Sequence, residues 1–545
     1  MGIYNHAHFT VMASAPTNAT APPSALLHLD TNEKPAYPHL FGTALTSSRP
    51  LGGFELGLLS MRGSRGYSDI FGITPLTCSG GYTVTDDNVV HAWAALRLRH
   101  PLLSSTVAFH AAQRPEFVYA SPLTMAHALR AARAQIEFHT FDDQDTATEA
   151  LRDRWLTPDS EDALDVRSGT CSLYWGRDAD AGTGRYILGI MMAHAVADGR
   201  RRANIVRCML ELLATPGRAQ RELAAHFAGE TPVVEIPPAM DSLLPDTSKS
   251  DPAELAKAKE VFDELIKFRS KRLSGLVPDG DLKEENFQPR FRRQIWSIEE
   301  TRRILMACKA RGVTITHLAN VSSAFASVQC QGAAQPSDSE DNYYFELCQA
   351  FDIHAKLTRV SSNGETETAL HFIGYPVILS IPKSKVASYT TGALWDVARQ
   401  FKARHEAYVN SPYFWNFKRF YDTLAIENYM AQMAGRARAS VPNMSSLGNL
   451  KSILPVRYPV QTSAVVSVVN GPGPEAVSAE IRVLDEISSA KVDPLTMNFA
   501  MWTFDDRLKL QFKWNSGRVS DGLINDFFNR VVGMISQVAD DEGTM

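Results

Sequence analysis

The stretch from Arg185 to Leu213, RYILGIMMAHAVADGRRRANIVRCMLELL, changes its hydrophobic period part-way, and no other feature constrains the chain as much. Tyr186 to Ala193 is an uninterrupted apolar run whose Ile187, Ile190, Met191 and Met192 suit a strand buried on both faces. His194, Asp198 and Gly199 follow in a tight H-x-x-x-D-G turn. Beyond it, Ile205, Cys208, Met209 and Leu212 recur at i, i+3, i+4 and i+7, a helical stripe opposite Arg200, Arg201 and Arg202. A strand that stops at a histidine, then turns through a glycine into a helix, presents one imidazole at a rigid edge.

The chain has 15 histidines, so one H-x-x-x-D is expected by chance, and a second stands at His139 and Asp143. Requiring the glycine lowers the chance expectation to about one in twenty. His139 lacks it and sits in the polar run HTFDDQD, which reads as surface strand end and loop. The competing reading of His194 is a core histidine with a satisfied ring, and the flanking strand and helix count against it.

A chain of 545 residues exceeds what one hydrophobic core usually supports, so two domains are expected. Its net charge of -5 gives no reason to expect nucleic acid or an anionic membrane as partner. No apolar run reaches the roughly eighteen residues of a membrane span. The first residues, MGIYNHAHFTVM, lack the basic start and continuous apolar core of a secretory signal, and His6 breaks the myristoylation pattern. Cys78, Cys171, Cys208, Cys308, Cys330 and Cys348 lie far apart with no C-x-x-C pair. Reduced thiols in an intracellular enzyme, with neither zinc nor a disulfide framework, are therefore expected. The expected protein is a cytoplasmic monomer that holds no metal.

Residues 1–26 read as a mobile tail. An N-terminal half spans 27–230, with N-cap candidates around Asp86 to Asn88 and a helix carrying Val89, Val90, Trp93 and Leu96 that ends at His100-Pro101. Strands SSTVAFH and PEFVYA and the helix MAHALRAARAQ follow, an alternation that argues α/β layering. Residues 231–290 read as a surface connector holding one charged helix from Glu254 to Leu273. The second half, 291–545, opens with a strand and two helices. It continues with strands around FELCQAF and FIGYPVILSIP, the helix ALWDVARQFKARHEAYV, and the segment VPNMSSLGNL. A strand TSAVVSVVN closed by GPGP, a strand pair in TMNFAMWTFDDRLKLQFKWN and a final helix from Asp521 complete it.

These pieces resemble the chloramphenicol-acetyltransferase-like superfamily, whose signature is H-x-x-x-D-G on a strand-to-helix turn. That superfamily holds peptide-synthetase condensation domains, plant acyl-CoA-dependent acyltransferases and fungal alcohol acetyltransferases. AWAALRLRHPLL, GVTITHLANVSSAFA, SSLGNL and MWTFDDRLKLQFKWNSGRVSD follow the family's order and extend the resemblance over about residues 85 to 540. It implies two α/β halves with an active-site tunnel at their interface and the histidine midway. Ala193 stands where condensation domains usually carry a second histidine, and the plant D-F-G-W-G box is absent. The fungal alcohol acetyltransferase branch is the most similar, although His354 occupies a place where that branch often has arginine.

Acyl transfer from a thioester to an alcohol requires removal of the hydroxyl proton, and an imidazole largely neutral at pH 7 can remove it. His194 is the candidate general base, and no G-x-S-x-G elbow suggests a covalent route. Asp198 and Gly199 are expected to be structural, the aspartate pairing with a buried cation and the glycine relieving crowding at the helix start. The resemblance brings SSLGNL near the tunnel, so Ser445 or Ser446 is a candidate oxyanion donor; the alternative is a turn hydroxyl bonding its own backbone. Lys267, Arg269, Lys271 and Arg272, or Arg290, Arg292 and Arg293, are candidates for CoA phosphates but read more simply as solvated charge. The expected activity is acyl transfer from acetyl-CoA or another acyl-CoA, as co-substrate, to an alcohol on a secondary metabolite. A carrier-protein-dependent condensation-type enzyme and a non-catalytic binding module are the alternatives.

Overall fold

The computed structural model describes residues 46–110, 113–158, 163–280, 284–331, 341–357, 369–421, 439–461 and 478–540. The expected N-terminal tail and the strand TSAVVSVVN with its GPGP turn lie outside them. Two large sheets organise the rest, one in each half, and a three-stranded sheet of Thr46–Pro50, Gln113–Ala120 and Thr106–His110 flanks the first.

At the centre of the first sheet, Arg185–Met192 pairs antiparallel with Ile70–Cys78, Ile70 opposite Met192 and Thr77 opposite Arg185. Cys171–Asp178 lies along its other edge and Ile136–Phe141 beyond. The apolar run works on both faces, as its composition requires. Leu188, Ile190 and Met192 join a core with the helices Asp86–Arg99 and Gly199–Leu213, while Ile187 and Met191 pack with Trp155 of Gln144–Leu156. The helix before Pro101 stops at Arg99, and its cap is Thr85, whose hydroxyl accepts the Asn88 N–H at 3.2 Å, one residue ahead of the expected candidates.

The second sheet runs Phe372–Pro382, Asn342–Asp352, Asn443–Asn449, Asn498–Phe504, Arg507–Asn515, Pro289–Ile295. The helices Ile298–Ala310, Ile315–Gln329, Thr391–Val409 and Asp521–Asp540 cover one face, burying Phe499, Met501, Leu508, Leu510, Phe512 and Trp514. Its other face meets the first half. Leu447, Trp502 and Phe504, all from the second half, belong to the first half's core. The connector carries the helix Pro252–Arg269, seated through Ala258 and Leu265 on Phe417 and Tyr421.

One connection crosses between the halves. Arg457–Pro459, Glu480–Val483 and Ile487–Ala490 lie within the stretch read as the second half, yet all three extend the first sheet, the latter two pairing with Ile70–Cys78. The chain then returns through Asn498–Phe504 to the second sheet. This crossover meets the motif helix at Arg202, which pairs with Glu486 and bonds Ser488. Arg201 is 3% exposed and Arg202 is fully buried, so two of the three arginines opposite the stripe are interior.

Candidate active site

His194 follows Met192 by two residues, where the central strand has ended and the motif helix has not begun. Its ring Nδ1 lies 3.0 Å from the Ala197 carbonyl oxygen. A carbonyl can only accept, so Nδ1 carries the hydrogen and Nε2 is the lone-pair nitrogen. On the other side, the imidazole stacks on Phe372 of the second half, with ring centroids 5.1 Å apart and planes 20° from parallel. The ring is thus fixed by a turn of one half and an aromatic face of the other. Burial lowers its pKa below the usual 6.5 and the Lys513 cation lowers it further, while the Ala197 carbonyl and the Asp198 carboxylate oppose them. At neutral pH the imidazole is uncharged.

Asp198 turns away from that ring. Its Oδ1 accepts the N–H groups of Arg200 and Arg201, both at 3.0 Å, and so caps the motif helix. Its Oδ2 accepts Arg201 Nη1 at 3.0 Å and the backbone N–H of His371 at 3.2 Å, which ties the motif to the second half. Arg201 reaches on to Asp352 at 3.3 Å, and Arg200 meets Asp352 at 3.2 Å and the Leu447 carbonyl at 2.9 Å. His354 does not touch Asp198; its Nδ1 meets Nδ1 of His371 at 3.0 Å. The His371 pKa falls to about 4, chiefly through burial, with Arg201 adding to it. Gly199 starts the helix where a Cβ would lie 2.8 Å from Leu447 Cδ2, so a side chain there would have to displace the Leu447 side chain of the second half.

Asp198→Asn retains an oxygen for the cap but removes the charge that faces Arg201, whose side chain is 4% exposed. The substitution is expected to cost about 3 kcal/mol, the low end for a broken buried pair, because Asp352 remains. A urea midpoint reads this, and turnover per folded molecule should stay within tenfold. An Asp198→Asn protein as stable as the parent but inactive would instead make the aspartate part of the chemistry.

The two serines separate by strand alternation. Ser445 pairs with Ala500 and Ser446 with Met501 across the parallel ladder. Ala500 packs toward the first half's core and Met501 belongs to the second's, so Ser445 takes the His194 side of the sheet. Ser446 Oγ accepts the Thr316 hydroxyl at 2.9 Å. Both serines line, with His194, a cavity of about 130 Å³ between the halves. Phe291, Phe351 and Phe372 supply aromatic wall, and Asn498, Gln511 and Lys513 a polar one that the sequence reading did not single out.

The other motif residues lie elsewhere. His139, on the exposed strand Ile136–Phe141, pairs with Glu137 and stacks on Tyr174, and Asp143 caps the helix Gln144–Leu156. Arg269 pairs with Glu346, Arg290 with Asp521 and Arg293 with Asp485, while Arg292 lies over Phe528 and bonds Asn525 and Asn529. None of these lines the cavity. Among the described residues, no His, Cys, Asp and Glu cluster could hold a metal ion, and no helix is long and apolar enough to cross a membrane.

No protein-family profile matches the chain, and no curated protein matches it in sequence. Solved structures do. A trichothecene 15-O-acetyltransferase, TRI3 of Fusarium sporotrichioides, is similar over 90% of this chain and 95% of its own, with TM-score 0.71 and 16% identity. The first condensation domain of the calcium-dependent antibiotic synthetase is similar over 91% and 97%, with TM-score 0.58 and 13% identity. An epimerization domain from tyrocidine synthetase B is similar over 91% and 98%, with TM-score 0.54 and 12% identity. The fold is therefore the mixed α/β chloramphenicol-acetyltransferase-like fold of these acyltransferases and synthetase domains. Shared by acetyltransferase, condensation and epimerization domains, it leaves the reaction to be argued from the site.

Proposed function

We propose that the chain is an acyl-CoA-dependent O-acyltransferase, transferring an acetyl group directly to an alcohol with His194 as general base. The observation that carries this reading is the fixed tautomer: Nδ1–H is committed to the Ala197 carbonyl, and Nε2 is the basic nitrogen of a ring lining the interface cavity. In the reaction, the acceptor oxygen attacks the thioester carbonyl as Nε2 takes its proton. The negative charge that develops on the carbonyl oxygen needs a donor, a role Ser445 suits because its hydroxyl makes no hydrogen bond among the described residues. When the tetrahedral intermediate collapses, the carbon–sulfur bond breaks and the imidazolium returns the proton to the departing thiolate. Asp198 acts as a structural residue through Arg201 and the helix cap.

The test is release of free CoA thiol from acetyl-CoA across a panel of alcohols and amines, with a pantetheinylated carrier protein as alternative donor. Acceptor-dependent release supports the proposal. Transfer only from the carrier favours the condensation-type enzyme, and none from either donor favours the binding module.

The pH profile gives a second check. Because the His194 pKa is depressed, kcat/KM should rise with pH through one ionisation below 6.5 and be flat at neutrality. Lys513, itself lowered to about 8 by burial, is still charged in that range. Lys513→Met removes a cation that favours the neutral imidazole, so the acid limb should move to higher pH. A limb displaced downward would count against His194 as the titrating base.

A further inference from the structure

The strand Arg507–Asn515 alternates strictly. Leu508, Leu510, Phe512 and Trp514 enter the second half's core, and Lys509, Gln511, Lys513 and Asn515 face the first half. That polar row is not solvated, since its members are 2–7% exposed. Three of the four have partners. Lys509 pairs with Asp485, and Lys513 donates to the carbonyls of Ala490 at 3.0 Å and Lys491 at 2.9 Å. Asn515 accepts the N–H groups of Gln288 and Gly517, each at 3.0 Å. Gln511 differs: it is 2% exposed, and neither Oε1 nor Nε2 has a hydrogen-bond partner. On the neighbouring strand the buried Oδ1 of Asn498 is also unpartnered. Gln511 and Asn498 both line the cavity that His194 lines.

A buried, unpaired carboxamide costs about 1–3 kcal/mol for each unmet group. Leucine would fill the same strand position without that penalty, so the glutamine is explained by a ligand rather than by packing. The unmet inventory indicates which ligand. At these two carboxamides the acceptors Gln511 Oε1 and Asn498 Oδ1 need hydrogens and the donor Gln511 Nε2 needs an oxygen; Arg201 Nε and Arg202 Nε and Nη1 are further unpartnered donors along the same cavity, on guanidiniums whose charge is already paired with Asp198 and Glu486. A ketone or ester oxygen satisfies only the donor, whereas a hydroxyl both gives and accepts. A carboxylate would leave both acceptors unmet. The aromatic wall of Phe291, Phe351 and Phe372 favours an apolar scaffold around the polar group.

We propose that Gln511, with Asn498, forms an acceptor-recognition subsite for a second hydroxyl on the substrate, beside the hydroxyl that His194 deprotonates. The substrate class is thus a neutral, apolar-bodied diol or polyol. This inference deepens the acyltransferase reading and rests on it for the acceptor's role. A site built to bond a hydroxyl discriminates against an analogue that lacks it, because the buried polar groups are then left unmet.

The test uses phenylethanol and its vicinal diol, phenylethane diol, titrated calorimetrically into the full-length protein and into Gln511→Leu. The wild type should bind the diol at least tenfold tighter than the mono-alcohol, and Gln511→Leu should bind the two alike. Its thermal midpoint should be equal to or above the parent's, since an unmet polar group has gone. No diol preference in the wild type, or a preference that survives Gln511→Leu, would overturn the subsite. So would a lowered midpoint with unchanged selectivity, which marks a structural glutamine. Binding is read without turnover, so a diol preference with no thiol release from acetyl-CoA would overturn the acyltransferase reading and leave the diol subsite standing.

Discussion

His194→Ala is expected to lower turnover by about 100- to 10,000-fold while the protein stays folded. The size follows from the chemistry. Without a base, the acceptor hydroxyl must lose its proton to water as it attacks, and positioned general bases supply rate factors of this order. The unchanged fold follows from the ring's bonding. His194 caps no helix, its one hydrogen bond is to a carbonyl three residues away, and its aromatic contact is Phe372. Removing the ring therefore enlarges a cavity and leaves no charge unpaired. Circular dichroism and the thermal midpoint should be close to the parent's, and acetyl-CoA affinity nearly intact. His139→Ala is the control, because that ring lies exposed against Glu137 and Tyr174. Near-normal turnover by His194→Ala on a verified acceptor would end the general-base mechanism and move the binding module ahead.

The motif was legible because its information is local. An apolar run, a glycine-bearing turn and a helical stripe occupy 29 consecutive residues, and the strand Arg185–Met192 and helix Gly199–Leu213 follow them closely. The site's supports were not, because they are separated by long stretches of chain. Nothing near Arg201 announces Asp352, and nothing near Asp198 announces the His371 backbone. LKLQFKWN shows the difficulty most clearly. Its alternation correctly indicates a strand with one polar face, and a polar face ordinarily meets water. Here that face lies against the other half, so the pattern that identifies the strand conceals the burial of Gln511 and Lys513. The burial of Arg202 is hidden in the same way, since its partners Glu486 and Ser488 stand far along the chain on the crossover.

That crossover carries the largest expected stability effect. Arg202 and Glu486 are both fully buried, with Arg202 Nη2 2.5 Å from Glu486 Oε1 and 3.0 Å from Ser488 Oγ. Thr74 donates to the other carboxylate oxygen at 2.7 Å. The pair thus joins the motif helix, the strand Ile70–Cys78 and the returning segment at one point. Gly72 makes room for it, since a Cβ there would lie 1.5 Å from Arg202 Nη1. Glu486→Ala leaves the guanidinium buried without a counter-charge, and a cost of about 3–5 kcal/mol is expected. Denaturant unfolding should show it, with early proteolysis at Glu480–Val483 and Ile487–Ala490 as these crossover strands detach. The pair need not be stabilising in itself, because desolvating two ions offsets much of their attraction. Replacing both, as Arg202→Met with Glu486→Leu, should therefore recover most of what the single change loses. If the double variant is as unstable as Glu486→Ala, the loss lies in packing at the crossover rather than in an uncompensated charge.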